Sequence, residues 1–273
     1  MDLTGFVINN YLIGERRSPP GELEVYAGRH QHLERDVTVQ VIRVEEESRS
    51  LWQEQVAAEA RFLARVSHPN VLHVYDIGTE DDGLIYVVTE QIEGRPLDQL
   101  LAERDHLDFA HALRITREVA RGLAAFHRVG LLTTELDSAS VMVTAGPLVG
   151  RVGTGLPWIK LLDLGVGCAV GQARDAPLPE GDARRFLAPE VARREPLTPR
   201  VDVFSLGVLL QDLLLVGVPG ARLVSGSAVE RLVSRALAPL PGDRFGDLNA
   251  LLDALDTAQA NWSFGAAIQA HQR

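Results

Sequence analysis

The sequence predicts an α+β chain in which a small strand-rich part precedes a larger helical one, and three observations carry that prediction. Short segments dense in β-branched and aromatic residues fill the first 90 positions. Beyond them, apolar residues recur at helical spacing, as in Ile115, Val119, Leu123 and Phe126. The change of character falls at Glu90-Gln91-Ile92-Glu93-Gly94. With 273 residues, 46% of them hydrophobic and 23% charged, the chain has an ordinary globular composition and is long enough for two lobes.

Taken in order, strands are expected at Leu23–Ala27, Val37–Val44, Val71–Ile77 and Leu84–Thr89, separated by Gly, Asp or charged turns. One helix interrupts them, because Trp52, Val56, Glu59, Leu63 and Val66 fall on a single face at a period near 3.6. Glu59 therefore lies inside an apolar stripe, where a carboxylate needs a cation or strong donors. The helix carrying Ile115 to Phe126 leads into a polar loop, Leu131 to Ser140, and then a short strand, Val141 to Val143. A Gly/Pro-rich hairpin loop, Thr144 to Pro157, connects to a second strand, Ile159 to Leu162, which ends in Asp163-Leu164-Gly165. Its Gly-Thr-Gly precedes no helix, so it is not a phosphate loop. Val201 to Val216 is apolar nearly all round, the mark of a helix buried at the centre of its lobe, and Leu248, Leu251, Leu252 and Leu255 stripe the last helix.

Bulk properties exclude several classes. A net charge of −10 is not the footprint of a nucleic-acid-binding surface, and attraction to anionic lipid is weak. Lys160 is the only lysine, so chemistry that needs one has one candidate. A single cysteine, Cys168, excludes an internal disulfide and suits a reducing compartment. The start, Met-Asp-Leu-Thr-Gly-Phe, lacks the basic and apolar regions of a signal peptide. The most apolar segment, Val201 to Val218, is interrupted by Asp202, Ser205, Gln211 and Asp212, which fits a buried helix and not a membrane span. The expected localisation is cytoplasmic.

A set of short motifs in consistent order carries a resemblance. They are Val25-Tyr26, V-T-V-Q-V-I at 37–42, S-H-P-N-V-L at 67–72, T-E-Q-I-E-G at 89–94, K-L-L-D-L-G at 160–165, L-A-P-E at 187–190, D-V-F-S-L-G-V at 202–208 and D-R-F at 243–245. From about Tyr11 to Asp256 the chain resembles the bacterial eukaryotic-like (Hanks-type) Ser/Thr protein kinases. The resemblance implies the two-lobed fold of that family: an antiparallel-sheet N-lobe with one main helix over residues 1–90, a hinge at 91–94 and a helical C-lobe over 95–258. Residues 259–273 follow as a tail, and the C-lobe is shortened after residue 216, where Val216 runs through a short loop into a helix starting near Ala228.

Carried over residue by residue, the family's working parts are altered. The glycine positions of the phosphate-covering G-x-G-x-x-G-x-V loop are Ser18, Pro20 and Leu23, counting back from Val25. Backbone N–H groups bind phosphate in such loops, and Pro19-Pro20 removes two of them. Gln40 stands at the lysine of V-A-I-K, while its helix partner, Glu59, is kept. Thr38 takes the small-residue position beside the adenine. In the loop that reads H-R-D-L-K-x-x-N in the family, this chain has Thr133, Thr134, Glu135, Leu136, Asp137 and Ser140. Glu135 keeps a carboxylate one methylene further out, and a displacement of about 1 Å costs roughly a hundredfold in rate. Asp137 reverses the charge of the lysine beside the transferring phosphoryl group. Ser140 is shorter than the metal-binding asparagine. Asp163, the aspartate of D-x-G, is intact. No Ser, Thr or Tyr occurs from Leu164 through Leu197, so the activation segment offers no hydroxyl for phosphorylation, and the arginine that receives such a phosphate in regulated relatives is Thr134.

The structural positions are kept by contrast. Asp202 matches the aspartate that accepts backbone N–H groups of the catalytic loop, and Glu190 and Arg244 match a buried ion pair. These features lead to the expectation of a catalytically inactive pseudokinase without ATP or another cofactor. It would act as a scaffold or allosteric regulator on a protein partner, such as an active Ser/Thr kinase or its substrate. The alternative is a divergent kinase-like enzyme in which Glu135 and Asp163 remain as base and metal ligand. A nucleotide-free divalent site at Glu135, Asp137 and Asp163 competes with a solvated acidic patch, and the patch is preferred, so no metal is expected.

Overall fold

A computed structural model describes residues 2–20, 23–43, 64–80, 84–103, 107–134, 136–144, 158–162, 166–169, 178–216, 222–260 and 268–269. Its backbone contacts divide the chain into two compact units, Met1–Ser67 with Leu72–Glu93, and His68–Val71 with Gly94–Arg273.

The first unit is built on a six-stranded antiparallel sheet. Its strands are β1 (Val7–Ile8), β2 (Tyr11–Arg16), β3 (Leu23–His30), β4 (Arg35–Arg43), β5 (Val74–Thr79) and β6 (Leu84–Glu90), in the order β1-β2-β3-β4-β6-β5. Val37, Val39 and Val41 alternate onto one face of β4 and pack with Ile13, Tyr26 and Val88. The period-2 pattern thus fixes which side is core. The strands expected near 23, 37 and 84 are present and extend slightly further. β2 escapes the sequence pattern because Gly14 and the charged Glu15-Arg16 dilute it, and its pairing with β3 shifts register between Ile13 and Arg16. Of the expected helix from Trp52 to Val66, residues 52–63 lie outside the described residues; Val66 is buried. The strand expected from Val71 begins at Val74 instead. Val71, with Asn70, belongs to the second unit, where Val71 forms a parallel bridge with Leu161 and the Asn70 carbonyl accepts the Leu161 N–H at 2.8 Å.

The second unit carries helices α1 (Leu97–Ala102), α2 (Phe109–Arg128), α3 (Pro189–Ala192), α4 (Arg200–Leu215), α5 (Ala228–Ala236) and α6 (Leu248–Ala260). Asp108 caps α2 by accepting the His111 N–H at 2.8 Å. The predicted stripe Ile115, Val119, Leu123 and Phe126 is fully buried, and α4 is buried on nearly every side, as its composition demands. A Cβ at Gly207 of α4 would lie 2.8 Å from the Ala236 Cβ, so this glycine lets α4 and α5 approach closely. α5 starts at Ala228, capped by Ser227, which agrees with the short connection read after residue 216.

Short strands flank the polar loop: β7 (Arg95–Pro96), β8 (Leu131–Thr133), β9 (Val141–Val143), β10 (Ile159–Leu161) and β11 (Val166–Ala169). β9 pairs with β7 and β10, and β8 pairs with β11, all antiparallel. Among the described residues, no helix is long and apolar enough to cross a membrane.

Candidate functional site

The polar loop between β8 and β9 is held from beneath by one buried carboxylate. Asp202, in the first turn of α4, is fully buried. Its Oδ1 accepts the Thr133 hydroxyl at 2.6 Å, and its Oδ2 accepts the Thr133 N–H at 3.4 Å. The same Oδ2 lies 2.6 Å from Nε2 of His127, at the end of α2. One side chain thus ties together the helix that enters the loop, the loop and the central helix. The apolar anchors Leu131, Leu132 and Leu136 are buried around it.

Further along, the loop closes on itself. The Ser140 N–H donates to Asp137 Oδ1 at 2.8 Å, the Asp137 N–H to Ser140 Oγ at 3.0 Å, and the Ser140 hydroxyl to the Asp137 carbonyl at 2.8 Å. Such a reciprocal turn is the local bonding that short polar side chains favour. The Ser140 carbonyl accepts the Leu162 N–H at 2.9 Å, so the loop is fastened to the segment just before Asp163. A cavity of about 320 Å³ opens above it, lined among others by Thr134, Leu136, Asp137, Ser140, Leu162 and Phe186. Thr134, Asp137 and Ser140 are therefore brought to one cavity, and Thr133 sits below it. Glu135 and Asp163 lie outside the described residues.

The residues expected at the nucleotide positions of the first unit are arranged as follows. The ends of β2 and β3 are joined beyond the strands by side-chain and backbone bonds: Ser18 Oγ accepts the Val25 N–H at 2.8 Å, and the Val25 carbonyl accepts the Arg17 N–H at 2.7 Å. Pro19 and Pro20 follow Ser18, and Leu23 opens β3 with its side chain exposed. Gln40 is half-buried in β4 and pairs with Val25 on one side and Val87 on the other. Thr38 pairs with Ala27 and Thr89, two positions along the same face. Val25, Ala27, Thr38 and Gln40 thus share a face of the sheet, opposite Val37, Val39 and Val41. Glu59 lies outside the described residues.

Two polar centres escaped the sequence reading. His127 gave no signal beyond a polar residue at a helix end. Glu118 is buried on α2, and its Oε2 accepts from Asn70 Nδ2 at 3.0 Å, the Trp158 N–H at 2.7 Å and the Ile159 N–H at 3.2 Å. Its Oε1 accepts from Arg114 Nε at 3.1 Å. A glutamate with an arginine four residues earlier reads as a surface pair, and only the fold reveals the other donors. The pair read from sequence, Glu190 with Arg244, is formed and buried, with two bonds of 2.7 Å.

Comparison with known proteins agrees with this architecture. The family model described as the protein kinase domain matches residues 21–232. The chain belongs to the protein kinase family. It is 24% identical over 285 residues to a probable serine/threonine-protein kinase of Clostridium acetobutylicum, an alignment covering 95% of this chain and 42% of that protein. It is 27% identical over 269 residues to the serine/threonine-protein kinase pkn3 of Myxococcus xanthus, covering 85% and 46%. The chain thus spans less than half the length of these curated relatives. Among solved structures, the PknI kinase domain of Mycobacterium tuberculosis superposes with a TM-score of 0.69 at 24% identity, covering 93% of this chain and 98% of that one. This likeness shows the protein-kinase fold.

The comparisons correct one expectation. The chain was expected not to be an enzyme, but its family is that of protein kinases and the relatives that align along most of it are named serine/threonine kinases, which points to an enzyme. Replaced family side chains do not by themselves exclude transfer, because Asp202 holds the loop frame in place and carboxylates remain at Glu135 and Asp163.

Proposed function

We propose that this chain is the catalytic domain of a divergent Ser/Thr protein kinase, one that transfers a phosphoryl group from a nucleoside triphosphate to a protein hydroxyl. The observation that carries the reading is the clamp of Asp202 on Thr133 and His127, which fixes the loop beside an open cavity of about 320 Å³. Preorganisation of this kind, and not covalent chemistry by the protein, is what phosphoryl transfer requires.

In this reading Glu135, two residues beyond the clamped Thr133, accepts the proton of the substrate hydroxyl as its oxygen bonds to the γ-phosphorus and the bridging P–O bond to the nucleoside diphosphate breaks. Asp163, next in the chain after Leu162, would hold the magnesium that accompanies the nucleotide and supplies charge neutralisation. A second metal does not fit at Ser140, whose hydroxyl is engaged by the backbone of Asp137 on both its donor and acceptor sides. Gln40 offers amide hydrogen bonds where a lysine would offer charge. A slow transferase acting on a protein partner is the expected phenotype.

The test is incubation of the purified chain with γ-labelled ATP, Mg²⁺ and generic protein substrates. Label on protein that disappears in both Asp163→Asn and Glu135→Gln supports the assignment. Absence of label under all metal conditions, or label that persists in Asp163→Asn, refutes it.

A further inference from the structure

A basic centre stands out on the second unit of this acidic chain. Three elements meet where Gly122 of α2 packs on the segment 68–71 and on β10: a Cβ at Gly122 would lie 2.6 Å from Leu161 Cδ1 and 3.3 Å from the Asn70 carbonyl. Each element brings a base. α2 carries Arg121 and Arg128, both exposed and, among the described residues, without a carboxylate or hydrogen-bond partner. The segment 68–71 carries His68, half-buried, whose Nδ1 accepts the Asn70 N–H at 3.2 Å. That bond leaves the Nε2–H of the neutral ring as a donor. β10 carries Lys160, the only lysine of the chain, whose ammonium donates to the Val71 carbonyl at 3.3 Å and is thereby anchored to the same segment.

The charges are close enough to act on one another. Burial first, and then Arg128, Arg121 and Lys160, hold the His68 pKa below its ordinary value. The nearest described acid on α2, Glu118, is already taken by four donors. Beside Arg121 a cavity of about 380 Å³ continues along the helix past Arg117 and Arg114. Arg117 is held by Asp256 and Gln259, and Arg114 lies over the Trp158 ring at 4.1 Å, so this cavity has ordered walls.

We propose that Arg121, Arg128, His68 and Lys160 form a docking site for a phosphorylated side chain of a protein segment, with the neighbouring cavity receiving the residues that flank it. The match is one of charge and donor number. A phosphate carries close to two negative charges and three acceptor oxygens, and two guanidinium forks with an ammonium and a ring N–H outnumber what a carboxylate can accept. The seven-residue offset of Arg121 and Arg128 puts both on the same face of α2, with their Cα atoms about 10 Å apart along the helix. This site is separate from the transfer site proposed above, and its test contains no nucleotide, so the two readings fail independently.

The test is binding of the whole chain to immobilised nonapeptide libraries, degenerate around a fixed phosphothreonine, threonine or glutamate. The phosphothreonine library is expected to retain the protein, and the other two are not. Arg121→Glu with Arg128→Glu removes retention, about tenfold or more per arginine, whereas reversal of an exposed arginine elsewhere, Arg193→Glu, leaves it unchanged. The neutral pair Arg121→Gln and Arg128→Gln gives the same ordering if the reversed pair folds poorly. Equal retention on threonine or glutamate peptides, or retention unchanged in both double variants, overturns the proposal.

Discussion

The frame beneath the polar loop and the rim of that loop treat polar residues in opposite ways. In the frame, each charge is buried and bonded across long stretches of sequence. Arg244 reaches Glu190 through two nitrogens and also donates to the carbonyls of Ala238, Arg200 and Pro239. Asp202 joins His127, 75 residues away, to Thr133, 69 residues away. At the rim, the side chains of Asp137 and Ser140 bond to each other's backbone, across three positions. In the resemblance read from the sequence, Glu190, Asp202 and Arg244 match the family's residues, whereas Asp137 and Ser140 do not. The lesson concerns where substitution is tolerated: a buried charge with several partners cannot be exchanged singly, whereas a loop residue whose side chain bonds only within its own turn, such as the half-buried Asp137 or the buried Ser140, can be replaced by a short polar group that satisfies that turn.

The largest test of the contrast is Arg244→Ala. It leaves the Glu190 carboxylate buried without its cation, together with three carbonyls that lose a donor, and should lower unfolding free energy by about 3–5 kcal/mol. Urea denaturation followed by circular dichroism measures this directly. A loss below about 1 kcal/mol would mean that water enters and takes over the guanidinium's role, and the frame would then be no less tolerant than the rim.

Next in size is Asp202→Asn. The amide retains one acceptor oxygen but removes the charge that binds both the Thr133 hydroxyl and the His127 ring, and hydrogen bonds to a charged group contribute about 1.5–3 kcal/mol. Stability should fall by roughly that amount, with phosphotransfer falling further because the loop loses its fixed geometry. Thr133→Val separates the contributions, since it deletes only the 2.6 Å hydroxyl bond and leaves the histidine in place. An Asp202→Asn variant as stable and active as the parent would show that the clamp is incidental.

Much of this frame was legible in the sequence because its signals are local or periodic. The β4 alternation of Val37, Val39 and Val41, the all-apolar α4 and the four-residue stripe of α2 each announce an element and its buried face. Glu190 with Arg244 and the position of Asp202 came from motif register. What escaped were groups whose partners are distant and of ordinary type. Nothing near Glu118 in sequence says that Asn70 and the backbone of Trp158 and Ile159 will converge on it. His127 looks like a helix-end residue until α4 places Asp202 beneath it. The loop chemistry was legible as a list of replaced side chains, but not as geometry. Asp137 read as a repulsive charge, whereas its carboxylate is also the cap of a turn.

That double role sets the smallest and sharpest test, at the rim itself. Asp137→Asn keeps an oxygen able to accept the Ser140 N–H and removes the charge, so stability should change by less than about 0.5 kcal/mol. Asp137→Ala removes the cap as well and should cost about 1 kcal/mol, the usual value of a side-chain bond to a backbone N–H. The same pair separates charge from shape in function. Two like charges about 4 Å apart in partly buried surroundings repel by on the order of 4 kcal/mol, so an anionic substrate entering the cavity beside Asp137 meets a barrier that both variants lift. Phosphotransfer and nucleotide affinity should therefore rise in Asp137→Asn with no loss of stability, and rise in Asp137→Ala only as far as the loop stays ordered. If activity instead falls equally in both, the carboxylate contributes to the reaction through its charge, and the rim belongs with the frame among the positions that cannot be exchanged.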